Sequence, residues 1–184
     1  LQNEELQIEG TPVLYHNLFT NGIQYVDYLF DLKHIPQEEL PYVGLLKAIL
    51  GYVDTEHYDY GDVSNEINLN TGGINCGILI TADVQDVDSY NLKFELRTKF
   101  LAEKAATTMF LVKEIICGSD FSDGKRLHEI LSECKSKLQM MFAGAGHTAS
   151  ALRAMSYFSK TAQINDLTSG IAFYRVVADY EEHF

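Results

Sequence analysis

Residues 90–100 read YNLKFELRTKF, in which apolar and polar side chains alternate almost without exception. Strict alternation with a period of two is typical of a β-strand that buries one face and exposes the other. The apolar positions are Tyr90, Leu92, Phe94, Leu96 and Phe100, and the polar positions are Asn91, Lys93, Glu95, Arg97 and Lys99. This stretch therefore predicts a half-buried strand, the clearest one in the chain.

Three further strands are predicted, and all of them lie earlier in the chain. Residues 74–82 form a strand with one apolar face, made of Ile74, Cys76, Ile78, Ile80 and Ala82. A turn around residues 88–89 joins this strand to the strand at residues 90–100. Nearer the start, residues 11–16 and 23–32 form two short strands separated by a turn at residues 20–22. We expect these two strands to pair with each other as a hairpin that buries one face.

Helical periodicity fills the rest of the chain. A helix opens at Pro36, because proline suits the first turn, and carries an apolar stripe from Leu40 to Val53. Further helices are expected at 60–69, up to about 117, across 127–141, over 149–159, and around 171–180, with a break at Gly144 and Gly146. Strands come in pairs and helices in groups, so we predict a single two-layer α+β domain over residues 1–184. In it, helices cover one face of a four-stranded antiparallel sheet.

Composition narrows the classes of function. The chain has 184 residues with 14 Lys and Arg against 26 Asp and Glu, a net charge of −12. Such an acidic surface repels phosphate groups, so neither nucleic acid nor an anionic membrane is an expected partner. The first residues resemble no signal peptide, and a start without Met indicates a fragment. Three widely spaced cysteines indicate a reducing compartment, and we expect a cytoplasmic protein.

Familiar catalytic motifs are incomplete. His128-Glu129 begins a zinc-binding helix motif, but Ser132 stands where the second histidine is needed. The six histidines show no ligand spacing and are interpreted as surface or capping residues. Asp83, Asp86 and Asp88 resemble a calcium cluster without the glycine that such a loop needs, so turn formation explains them better. The residues alone indicate no active site, metal site or cofactor.

One feature of the charge pattern is unusual. Between Lys47 and Lys93 the sequence has no Lys or Arg but eight acids, which are Asp54, Glu56, Asp59, Asp62, Glu66, Asp83, Asp86 and Asp88. These residues, the acidic segment, have two interpretations. They form either a solvated face near helix starts or a wall that attracts basic peptides.

Four stretches together resemble one family of peptidases. They are PVLYHNLFTNGIQYVD at 12–27, LPY at 40–42, TEHYDY at 55–60 and LNTGGI at 69–74. In this order they are similar to the associated domain of presequence-protease-like metallopeptidases of the insulinase (pitrilysin) superfamily. The resemblance implies an insulinase/pitrilysin-like metallopeptidase domain of the C-terminal half, within a parent chain several times longer.

The resemblance also implies that this domain is not catalytic. In the family the catalytic domain binds zinc through a His-x-x-Glu-His helix, and the equivalent positions here are Lys47, Leu50 and Gly51. None of these can replace imidazole or carboxylate as a zinc ligand. Zinc is therefore expected in the parent enzyme and not in this fragment, and no catalytic residue is assigned to the chain.

Two main hypotheses about function follow. The first is a non-catalytic, chamber-forming domain of a zinc-dependent endopeptidase that degrades short or unfolded peptides. Its partners would be the other domains of the same chain and the peptide substrate. The second is a free-standing peptide- or protein-binding module without enzymatic context. A third hypothesis, a small metalloenzyme, would require the scattered histidines to lie close together in the folded chain. A fragment without its neighbours exposes apolar surface, so self-association is also expected.

Overall fold

The computed structural model describes residues 3–82, 85–86 and 89–184. Five strands fall within them: β1 (Glu4–Ile8), β2 (Thr11–Tyr15), β3 (Ile23–Asp31), β4 (Ile74–Ala82) and β5 (Tyr90–Leu101). The helices are α1 (Leu40–Ile49), α2 (Tyr60–Asn70), α3 (Ala105–Cys117), α4 (Gly124–Met155), α5 (Lys160–Ser169) and α6 (Ile171–Glu182). Short 3-10 turns at Gln37–Glu39 and Ala102–Lys104 lead into α1 and α3. The α+β class is confirmed.

Strand β5 is the centre of a three-stranded antiparallel sheet with the order β3-β5-β4. Phe94 stands opposite Phe30 of β3 on one side and opposite Ile78 of β4 on the other. The alternation predicted for β5 is confirmed, because its buried residues occur at every second position: Leu92, Phe94, Leu96, Thr98 and Phe100. The buried face of β5 thus fixes which side of the sheet the helices cover.

The core lies between this face and the helices. Phe94 packs in one cluster with Leu50 after α1, Val63 of α2 and Ile115 of α3. A second cluster joins α4 and α6 through Leu131, Leu138, Phe173 and Val177. Burial of side chains of this size contributes about 1.5–3 kcal/mol each, so these two clusters hold the helices against the sheet and against one another.

The predicted hairpin between residues 11–16 and 23–32 is wrong, and so is the single four-stranded sheet. Strand β2 pairs with β1, which the sequence analysis did not assign, and the two form a separate two-stranded sheet. Their two-residue turn, Glu9-Gly10, has positive φ angles of 49° and 83°. Positive φ at both central residues is typical of the tight turns that favour hairpins. This local turn pairs β2 with β1, while β3 pairs with the distant β5.

The helices differ from the prediction in two places, the end of α1 and the additional helix α5. Helix α1 ends at Ile49, so Val53 lies beyond it although it is buried. The expected break near Gly144 and Gly146 is confirmed, because Ala145 between them has the non-helical angles φ −136° and ψ 42°, and two helical segments of α4 meet there at a kink. Helix α5 was not predicted, although the Ser159 side chain caps it by accepting from the Ala162 backbone N–H. In the described residues no helix is long and apolar enough to span a membrane.

Candidate functional site

The positions equivalent to the zinc motif lie in the last turn of α1 and directly after it, and each has a different role here. Lys47 is half-buried in the last turn, and its Nζ donates to the Thr168 carbonyl over 3.4 Å. Leu50 follows the helix and lies in the core cluster around Phe94. Gly51 adopts a φ of +84°, which glycine tolerates far better than other residues. Leucine and glycine provide no side-chain ligand, so these positions do not fit a zinc ion.

Lys47 lines a cavity of about 460 Å³. Helices α1, α4 and α5 form part of its wall, and strand β4 contributes three consecutive residues, Cys76, Gly77 and Ile78. Strand β4 is at the edge of the sheet, because β5 is its one partner among the described strands. The cavity therefore lies between a strand edge and three helices, and its volume is in the range of ligand-binding pockets.

The charged side chains of the cavity come from two helices. Lys137 and Glu133, one turn apart on α4, form an ion pair with 2.6 Å between Nζ and Oε1. Burial raises the pKa of the Cys76 thiol to about 11 and also raises the pKa of the Cys134 thiol. Both thiols are thus neutral near pH 7, and both belong to free cysteines. Lys47 remains as the cation in this cavity without a carboxylate partner among the described residues.

Five acids of the acidic segment, Asp54, Glu56, Asp59, Asp62 and Glu66, lie in α2 or in the loop before it. Asp59 caps this helix by accepting from the Asp62 backbone N–H, and Asp54 accepts from the Tyr60 backbone N–H over 2.7 Å. Glu66 accepts from the Asn70 side chain, one turn later on the same helix. Capping by acids at this end is favourable, since the helix dipole is positive there. Part of the segment thus has a structural role.

The rest of the acidic segment is less uniform than the sequence indicates. Asp86 is exposed, whereas Asp83 and Asp88 lie outside the described residues. Arg126 of α4 stacks over the Tyr60 ring, with 4.1 Å from its guanidinium carbon to the ring centre. A cation therefore lies at the start of α2, although the sequence has no Lys or Arg between positions 47 and 93. The attraction of basic peptides by these acids stays a prediction.

A group with metal-ligating chemistry joins the loop before α2 to α3. Glu56, His57 and Glu114 each offer a ligand atom, and these atoms lie within 4.8 Å of one another. Imidazole and carboxylate suit several divalent cations. Sequence reasoning missed this group, because Glu114 follows His57 by 57 positions. One feature of the sequence could have indicated Glu114, because this acid stands inside the largely apolar stretch FLVKEIIC at residues 110–117.

Hydrogen bonds explain the geometry of this group. Glu114 is 4% exposed and accepts from the backbone N–H of His57, while the His57 Nδ1 lies 3.0 Å from its Oε1. Burial alone would raise the pKa of Glu114, but the bonds from His57 and Thr55 outweigh burial and lower that pKa. Glu114 is therefore a buried carboxylate that fastens the loop to α3.

Comparison with known proteins gives one family and several relatives. Residues 1–179 match the family of domains associated with peptidases of metallopeptidase family 16, subfamily C. The chain is 32% identical over 182 residues to protein HypA of Clostridium perfringens, and this match covers 99% of the chain and 19% of the relative. It is 26% identical to the mitochondrial presequence protease of Yarrowia lipolytica (91% and 17% covered). It is also 27% identical to presequence protease 1 of Arabidopsis thaliana (90% and 15%). The chain spans less than a fifth of the length of these relatives.

Proposed function

Because the chain belongs to the family of associated domains of metallopeptidase family 16, subfamily C, we propose that it is a non-catalytic, chamber-forming domain of a zinc-dependent endopeptidase. The family match over residues 1–179 is the observation that carries this proposal. The chemistry of α1 supports it, since Lys47, Leu50 and Gly51 provide no zinc site. The substrates would be short or unfolded peptides, and the other domains of the parent chain would be its partners. A cytoplasmic location and self-association of the isolated chain stay predictions.

The decisive experiment measures zinc and peptide hydrolysis for this chain and for the reading frame that contains it. We expect an open reading frame several times longer than this chain. Its protein product should hydrolyse unfolded peptides only when zinc is bound. The 184-residue chain alone is expected to retain well below one equivalent of zinc after dialysis and to leave the same peptides intact. A His57→Ala variant controls for ions held at Glu56, His57 and Glu114.

Two results would contradict this proposal. A reading frame that ends near Phe184 would favour the free-standing binding module instead. One equivalent of zinc retained by both the unmodified chain and the His57→Ala variant, together with peptide cleavage, would show a catalytic site in this chain.

The acidic segment leads to a prediction about basic peptides. We expect a fluorescent Arg-rich peptide to bind the chain at low salt, and to bind progressively more weakly as salt rises. The physical reason is that exposed charges are screened over about 8 Å at physiological ionic strength. Replacing Asp54, Glu56, Asp59 and Asp62 with Asn or Gln is expected to reduce the low-salt affinity about tenfold or more. Asn at position 59 preserves the helix cap, so the variant should fold.

A matched control removes four acids elsewhere. Glu4, Glu5, Glu38 and Glu39 are all exposed, and their replacement with Gln changes the net charge by the same amount. We expect this control to retain most of the affinity, which fluorescence anisotropy at two salt concentrations would measure. Equal losses in the two variants would mean that net charge alone attracts the peptide and that the segment has no special role.

A further inference from the structure

Lys47 has few hydrogen-bond partners within the described part of the protein. An ammonium has three N–H donors, and among the described residues Lys47 donates one hydrogen bond, a long one of 3.4 Å to the Thr168 carbonyl. Within the described residues no carboxylate lies within ion-pairing distance of its Nζ. Burial lowers the pKa of Lys47, which means that burial disfavours its charged form. An anion that entered the cavity would supply the missing partner.

The other groups of the cavity do not compete for this role. Glu133 is engaged with Lys137, and the Cys76 and Cys134 thiols are neutral because burial raises their pKa values. The cavity thus carries a local charge of about +1 in a chain whose net charge is −12. A positively charged cavity favours anions over basic ligands.

The edge of strand β4 adds a second recognition element. Side chains of a strand alternate between its faces, yet the consecutive residues Cys76, Gly77 and Ile78 all line the cavity. The main chain of the strand therefore borders it. One edge of β4 pairs with β5, and the other edge has no partner strand in the described part of the chain. Free strand edges bind extended peptides through main-chain hydrogen bonds.

We propose that this cavity binds the C-terminal end of an extended peptide, with the terminal carboxylate paired to Lys47 and the last residues along the edge of β4. A chain end fits better than a continuous strand, because three of the nine β4 residues line the cavity. The proposal rests on the proposed function, which makes peptides the ligands of this domain. It extends that function by assigning a site for peptide ends, such as those that cleavage produces.

The test compares two peptides that differ in one group. A hexapeptide of Ala, Val and Leu carries a neutral fluorophore at its N-terminus and ends in either a free carboxylate or an amide. We expect the free acid to bind the 184-residue chain about tenfold or more tightly than the amide, because charge-assisted hydrogen bonds are the stronger ones. Fluorescence anisotropy measures both affinities. Equal affinity of acid and amide would overturn the proposal.

Variants locate the effect at Lys47. In Lys47→Gln the acid is expected to bind as weakly as the amide, whereas Lys47→Arg should keep the preference for the acid. Lys137→Gln is the matched control, because Lys137 lines the same cavity but is 64% exposed and paired with Glu133. It should also keep the preference. Circular dichroism checks that each variant is folded, and a preference for the acid that persists in folded Lys47→Gln would overturn the assignment.

Cysteine alkylation provides an independent readout. Cys134 lines the cavity, whereas Cys117 is exposed and is not among the lining residues. The free-acid peptide at saturating concentration is expected to slow alkylation of Cys134 several-fold and to leave Cys117 unchanged. Unaltered alkylation of Cys134 at saturation would place the peptide elsewhere. These outcomes are separate from the test of the domain's role, since the zinc content and length of the parent protein do not depend on the affinity of this cavity.

Discussion

Phe94→Ala is expected to lower the free energy of unfolding by about 3–5 kcal/mol. Phe94 is 5% exposed and lies in the core cluster with Leu50, Val63 and Ile115. Its ring also meets Phe30 of the neighbouring strand, with 6.5 Å between ring centres. Alanine would leave a cavity at the point where the central strand contacts three helical regions. Since a domain of this size is stable by roughly 5–15 kcal/mol, the loss is a large part of the total.

Urea denaturation followed by circular dichroism would measure this loss. Phe19→Ala is the matched control, because Phe19 is 94% exposed and its removal creates no cavity. We expect the control to unfold within about 0.5 kcal/mol of the unmodified chain. A Phe94→Ala variant as stable as the Phe19→Ala control would mean that the buried face of β5 has been assigned wrongly.

Gly44→Ala is expected to destabilise the chain by about 1–3 kcal/mol, although alanine is the better helix former. A β-carbon at position 44 of α1 would lie 2.7 Å from a ring carbon of Phe173 and 2.9 Å from the backbone oxygen of Thr168. Both distances are below van der Waals contact, and the Thr168 oxygen belongs to the backbone of α5. The close approach of α1 to α5 and α6 therefore requires glycine at this position.

Gly144→Ala is the control, and we expect it to change the stability in the opposite direction or not at all. Position 144 lies in α4, and a β-carbon there would have no atom within 4 Å. Alanine should therefore be neutral or should stabilise the helix by up to about 1 kcal/mol. Thermal melts of the two variants would show the contrast. If Gly44→Ala were as stable as Gly144→Ala, the packing of α1 against α5 would be looser than the structure shows.

The sequence was most informative where local pattern and tertiary contact agree. The alternation of β5 and the apolar run of β4 gave strand positions close to the observed ones, and residues 60–69 predicted α2 almost to its last residue. Pairing was harder, because β3 reaches a partner about 70 positions away and alternation identifies a strand without identifying its neighbour. Helix α5 was missed for a different reason. Its buried residues include Asp166 and Thr168, so no apolar stripe marks it.

Little of the candidate site could be predicted from the sequence. The expectation that positions 47, 50 and 51 bind no zinc comes from the register that the family resemblance implies and from the residue types found there. The cavity was not predictable, since its walls come from α1, β4, α4 and α5, which are far apart in the chain. The contact of His57 with Glu114 is of the same kind, because 57 positions separate two residues whose side chains meet. Local periodicity contains no information about such contacts.

The pairing of β3 with β5 has a consequence for synthesis of the protein. Ile23 stands opposite Leu101 and Asp31 opposite Lys93, so β3 leaves the ribosome long before its partner exists. At roughly 5–20 residues per second, the delay for about 70 residues is on the order of 4–14 seconds. During this interval β1 and β2 can already close their hairpin, which needs a two-residue turn and forms in about 1–10 μs. The β1–β2 hairpin can therefore form from local contacts alone, whereas β3 has no strand partner until β5 has been synthesised.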